Sequence, residues 1–162
     1  MKTHVQPAPG WIGRADGFAA AIPPAVPLLA LRIALAVPFF RSGLTKWDGF
    51  LNLSLATHFL FSNEFKLHLF GHAYAYPFPV LAAWGASIAE IVLPVLLVFG
   101  LMTRFAALGL LLMTVVIQFT VPEGWANFHL PWAAMTLALV TFGGGSLSCD
   151  ALLQRGRSAR PA

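Results

Sequence analysis

Four stretches of the chain are almost continuously apolar: residues 24–47, 77–101, 103–121 and 126–142. Each approaches the ~20 residues that carry a helix across the hydrocarbon core of a bilayer. None shows the polar stripe that a helix needs on a side facing water. The pattern therefore predicts an all-α fold, a transmembrane four-helix bundle. Prolines cluster at the helix starts (Pro24, Pro27, Pro77, Pro79 and Pro131), where a missing N–H does no harm. Pro122 closes the third span, and Gly143, Gly144 and Gly145 close the fourth. We expect a single helix-interior proline, Pro94, to kink the second span and loosen the carbonyl of Glu90, four residues before it.

The polar stretches divide the chain into a tail (1–23), a four-span membrane domain (24–145) and a basic second tail (146–162). The first loop, residues 48–76, is too long for a plain connection. Its opening, "GFLNLSLATHFLF", mixes Leu and Phe with small polar residues, which suits an interfacial segment capping the bundle. An even number of spans puts both tails on one side. That side holds Lys2, Arg14, Arg104, Arg155, Arg157 and Arg160, whereas the other has Lys66 and, at its border, Lys46. The positive-inside rule then places both termini in the cytoplasm of a bacterial cell, with the chain in the inner membrane and loops one and three facing the periplasm. The arginines of the last tail lie beside the anionic inner leaflet on this reading.

Composition agrees: 58% of residues are hydrophobic and 10% charged, with a mean hydropathy of +0.75. A soluble domain carries about 25% charged residues. A net charge of +4 and a pI near 9.9 would point to nucleic acid in a soluble protein. Here the basic residues sit mostly at segment ends, so the expected partner is the bilayer and not nucleic acid. Cys149 is the one cysteine, which removes any intrachain disulfide or CxxC relay. Redox chemistry would need another carrier. The first apolar run follows a polar, proline-rich start without a short h-region and cleavage site, so it is expected to act as its own insertion signal.

Ionisable groups at membrane depth tend to pair and to mark function. Arg32 lies roughly 12 Å and Glu90 roughly 16 Å from the cytoplasmic ends of their spans by the helical rise, heights that would let them form an intramembrane ion pair. Two roles stay open for it: a salt bridge that sets how spans one and two pack, or a group that exchanges protons or touches substrate. Ala36, Phe39, Gly43 and Lys46 continue the stripe of Arg32, and its small residues allow close helix approach, so they form a packing seam. Arg41 is nine residues from Arg32 and thus about 180° around the helix. Near its height fall Trp84, Gln118 and His129, one donor-capable side chain per span. That layer fits either snorkelling beside an aromatic belt or a site for a quinone or another small amphipathic molecule, whose carbonyls need donors at the edge of an apolar pocket. Glu64, His68 and His72 recur at four-residue spacing in the first loop; on a helix they would put three metal ligands on one face, suited to copper or zinc.

Several of these residues also carry a resemblance. "LRIALAVPFFRSGLTKW" resembles the first-span pattern of the DoxX family, with Arg32, Phe39, Gly43 and Lys46 in place. "ASIAEIVLPVLLVFGLMTRFAALGLLLM" is similar to its second and third spans, and "VIQFTVPEGWANFHLPWA" with "GGGSLSCDALL" to the remainder. The chain departs from the pattern at Pro94, where relatives often have glycine, and at Cys149, where the tail usually reads Ser-Leu-Asp. The resemblance implies a four-helix membrane bundle associated with redox complexes, such as a subunit of a thiosulfate:quinone oxidoreductase. Its nearest likeness is to members that accompany iron-dependent peptide-modifying oxidases in copper-stress systems. The expected function is that of a small inner-membrane subunit of a redox system that binds quinone near the periplasmic face. The alternative is a non-enzymatic membrane partner or transporter-like protein in copper or oxidative stress. Both imply other membrane or periplasmic redox and stress proteins as partners, and both are compatible with a homo-oligomer.

Overall fold

A computed structural model describes residues 10–158. Lys2 and Arg160, two of the charges used to orient the chain, lie outside the described residues. Helix α1 (Gly10–Ala20) forms within the first tail, where the sequence suggests only a polar segment. Three helices follow that are long and apolar enough to cross a membrane: α2 (Ala25–Leu44), α4 (Pro79–Phe99) and α5 (Thr103–Thr120). Only 28% of the apolar window of each is buried in the protein. Their exposed positions include Ile33, Val37, Ile88, Val92, Leu108 and Leu112, the reverse of the pattern a water-facing helix requires.

The fourth apolar stretch differs from expectation. Its α-helical part, α6 (Leu130–Phe142), has 13 residues, about 20 Å at the α-helical rise. The preceding Trp125–His129 winds as a π turn. By length alone α6 falls short of a span. It packs against α5 and α2, while α4 joins α2 to α5, so the four helices close a ring. Leu35, Phe39, Leu97, Leu110 and Leu139 meet at its centre. Buried hydroxyls of Ser87, Thr114 and Thr136 bond carbonyls one turn back, so no polar atom in that core is left open. Pro94 lies inside α4 as expected, and α2 contains a second interior proline, Pro38.

The first loop is not wholly helical. After the short α3 (Leu55–Phe59) and a π turn (Leu60–Glu64), strands β1 (Lys66–Leu69) and β2 (His72–Ala75) pair antiparallel. Phe70 (φ 52°) and Gly71 (φ 82°) both have positive φ, the two-residue turn whose twist matches paired strands. The loop covers one end of the ring, α3 and the π turn lying on α4 and β1 on α5.

The opposite end is closed by polar contacts. Gly100 ends α4 in a left-handed conformation (φ 66°, ψ 38°). A Cβ there would sit 2.5 Å from Ser148 Cβ. Asp150, at the start of α7 (Cys149–Ser158), accepts from the Met102 and Thr103 amides at 2.8 and 2.9 Å and from the Thr103 hydroxyl at 2.8 Å. It thereby caps the positive end of α5.

A Cβ on Gly43 would lie 3.0 Å from the backbone carbon of Glu90 and 2.9 Å from Ile91 Cδ1. Gly43→Ala is therefore expected to separate α2 from α4 and cost about 1–3 kcal/mol, seen as a lower unfolding midpoint in mild detergent. For Asp150, burial pushes the carboxyl pKa up, but the bonds from Thr103 and Met102, with the Arg32 charge, win and hold it below its ordinary value. The depressed folded pKa means that its capping contribution is complete above about pH 4 and is lost as pH falls through the lower folded value. The Met102 and Thr103 amide resonances in micelles should shift over that acidic range, and Asp150→Asn should abolish the shift.

Candidate functional site

The Arg32 guanidinium is 2% exposed and bonds only carbonyls. Nε donates to Leu97 at 2.9 Å, Nη1 to Gly144 at 2.9 Å and Leu147 at 2.8 Å, and Nη2 to Val98 at 2.6 Å. It thus joins α2 to the last turn of α4 and to the glycine turn after α6. The expected Arg32–Glu90 pair is not formed. The first turns of α2 run past the ends of its neighbours, which puts Arg32 level with Leu97 and Val98. Glu90 is seven residues earlier on α4, roughly 10 Å further along the axis.

Glu90 pairs instead with Lys46, Nζ to Oε2 at 2.5 Å. The approach at Gly43 brings the two helices close enough for this contact. Lys46 ends the seam of Ala36, Phe39 and Gly43, all three of which are buried. Its carbonyl accepts from the Ser54 amide at 2.9 Å and from the Thr57 hydroxyl at 3.2 Å, so the start of the first loop holds it over α4. The Lys46 ammonium also donates to Ser42, at 2.9 Å to Oγ and 3.4 Å to the carbonyl. The edge-on contact of Trp47 with Trp84, centroids 5.5 Å apart, packs the turn beside it.

The ion pair lines a cavity of about 410 Å³ in the half of the ring nearer the hairpin. Its other walls are nearly all apolar: Phe39 from α2, Phe61 and Phe65 from the loop, Met113 and Ile117 from α5, and Trp132 from α6. Ala82, Gly85, Ala86 and Ala89 leave the space, because positions i, i+3, i+4 and i+7 form one face of α4. Gly85 on α4 and Leu112 and Val116 on α5 are exposed as well as lining, so the cavity is open between these helices. On the far wall Tyr76 Oη meets Thr120 Oγ1 at 2.6 Å, and Thr120 donates to the Val116 carbonyl at 2.9 Å.

The four residues expected to share one ligand layer do not converge. Arg41 is exposed. Trp84 packs on Trp47. Gln118 and His129 do meet, Oε1 to Nδ1 at 2.6 Å; since the Gln118 amide nitrogen faces the Pro122 carbonyl at 3.3 Å, the imidazole is the donor. None of the four lines the cavity. His129 contributes indirectly, packing against Trp132 with centroids 5.6 Å apart. The layer was built from axial height alone, and height does not decide which way a side chain points. The small-residue face of α4 and its neighbour Glu90 were the available signal for the cavity.

The helical spacing proposed for a metal is also absent. His68 lies on β1 opposite Ala73, and His72 on β2 opposite Leu69, so the two imidazoles belong to opposite faces of the hairpin. His68 Nδ1 lies 3.2 Å from the Phe119 carbonyl. Among the described residues no group of three or more His, Cys, Asp or Glu side chains could hold a metal ion.

With this geometry in view, the likeness to known proteins takes on residue-level content. The DoxX family model matches residues 27–123, from the start of α2 past the end of α5, and so includes Arg32, Gly43, Lys46 and Glu90. A protein of Haemophilus influenzae, described as uncharacterized, is 32% identical, with 80% of this chain and 85% of that protein covered. No solved structure matches. A match over more than half of the chain, spanning three apolar helices and all of the cavity lining but Trp132, makes this a membrane protein of the DoxX family.

Proposed function

We propose that the chain is a small subunit of a bacterial inner-membrane redox system, and that its cavity holds a quinone-type ring. The observation that carries this reading is the cavity itself: about 410 Å³, walled by aromatic and aliphatic side chains, with one ion pair on its lining. That volume falls within the ~300–1,000 Å³ of small-molecule sites, and such sites combine apolar walls with a few placed polar groups. The gap between α4 and α5 lies on faces that carry apolar side chains outward, so a lipid-soluble ring with an apolar tail would enter from the bilayer.

The topology belongs to the same proposal. The π turn and α6 together extend roughly 25 Å by the helical rise, enough for a fourth crossing of a locally thinned bilayer. Both tails then lie in the cytoplasm, and the hairpin and cavity lie toward the periplasm. The reading assigns a ligand site and no catalytic residue. Electrons would pass to a partner protein through the bound ring.

Gly85 provides the test, since a Cβ there would meet nothing within 4 Å. Gly85→Phe should fill the cavity without moving the backbone. In nanodiscs, decylubiquinol and decylubiquinone should quench tryptophan fluorescence saturably, because Trp132 lines the cavity. Gly85→Phe should weaken that binding about tenfold or more, roughly the 1.4 kcal/mol lost with part of the ring's contacts. Arg41→Ala should leave it unchanged. Quenching that does not saturate, or that Gly85→Phe leaves intact, would refute the proposal.

A further inference from the structure

The hydrogen-bond inventory of the ion pair says more about the ligand than its apolar walls do. An ammonium has three hydrogens to give. Lys46 Nζ directs them to Glu90 Oε2, Ser42 Oγ and the Ser42 carbonyl, which leaves none for a ligand. Glu90 is 5% exposed, and only its Oε2 accepts a bond among the described residues. No fully buried side-chain oxygen among those residues lacks a partner, so Oε1 meets open space, and the space that Glu90 lines is the cavity. On the opposite wall the Thr120 hydroxyl hydrogen is committed to the Val116 carbonyl, so Tyr76 donates to Thr120. The Tyr76 oxygen keeps acceptor capacity and has no hydrogen to spare. The Ser42 hydroxyl hydrogen and the Trp132 indole N–H are the neutral donors among the lining residues, and the one charged free valence of the cavity is the acceptor Glu90 Oε1.

We infer that the cavity selects a lipophilic ring bearing hydroxyl groups, and that Glu90 is the residue that sets this preference. This rests on the ligand-site reading above and deepens it: of a quinone couple, the reduced quinol is the form the site favours. A quinol O–H donates to Glu90 Oε1 in a charge-assisted bond, the stronger class of hydrogen bond. A quinone carbonyl at the same place sets an acceptor against a carboxylate, and it must give up water without a replacement bond. The ion pair then has a defined job. Lys46 pairs with Glu90 through Oε2 and leaves Oε1 to the cavity, and Ser42 takes up the remaining ammonium hydrogens so that the cation does not compete for the ligand.

The experiment is anaerobic binding of decylubiquinol and decylubiquinone to the full chain in nanodiscs, read by tryptophan quenching. Quinol should bind about tenfold or more tighter, as one charge-assisted bond allows. A tenfold preference would also raise the midpoint potential of the bound two-electron couple by about 30 mV. Glu90→Gln presents an amide that can donate as well as accept, so the two affinities should come within about twofold through a gain by the quinone. Because Glu90→Gln leaves Lys46 without its counter-ion, the double variant Lys46→Met, Glu90→Gln is the companion, with the same loss of preference expected. Equal binding of both forms by the unaltered chain would overturn the inference while leaving the ligand site standing, as would a preference that survives in both variants. If neither form is displaced by Gly85→Phe, the ligand-site reading fails, and the inference with it.

Discussion

A buried cation on an apolar helix and a half-buried cation just past its end must both find acceptors inside the protein, and the arrangement of the other helices follows from how they do so. Arg32 and Lys46 are 14 residues apart, Lys46 two residues past the end of α2. Each engages α4, at a different height and by a different chemistry. Arg32 uses the planar fork of its guanidinium on carbonyls of the last turn of α4 and of the glycine turn. Lys46 meets a carboxylate through a point charge. Between them Ala36, Phe39 and Gly43 form the seam, so α2 and α4 are fixed at both ends and packed closely in the middle.

The two ends of the seam are not equivalent. The hydrogen bonds of Arg32 all go to backbone carbonyls, and those that Asp150 accepts from Met102 and Thr103 tie the chain after α6 to the start of α5. A Cβ on Gly100 or Gly144 would overlap Ser148, and a more polar cavity of about 470 Å³ lies beside Thr103 and Asp150. Around Lys46 the helices leave space, because α4 presents alanine and glycine to α5 and α6. Polar tethers at one end and an apolar volume at the other set the two ends apart. The close contact at Gly43 packs the seam and delivers Lys46 to Glu90.

Much of this was legible along the chain. The seam positions and the three long spans rest on local rules of periodicity and hydropathy: Ala36, Phe39 and Gly43 are buried, and α2, α4 and α5 fall within the stretches those rules mark. The hairpin was hidden because its turn is Phe70–Gly71 and lacks the Asn-Gly or Asp-Gly that announces such turns. Three polar residues at four-residue spacing then imitated a helix face. The fourth apolar stretch read as longer than α6 because hydropathy does not distinguish a π turn from an α-helix.

The sequence by itself determined that the chain is a helical membrane protein, which residues of α2 pack inward, and that its charged groups at depth would need partners. Those are properties of composition and of one helix at a time. Which partners they took was decided only by the tertiary structure, because pairing depends on the axial offset and rotation of neighbouring helices. An overhang of about two turns at the start of α2 moved Arg32 away from Glu90 and onto carbonyls, and the same offset gave Glu90 to Lys46. The cavity has the same origin: a small-residue face on α4 becomes a volume only where α5, α6 and the first loop stand off from it.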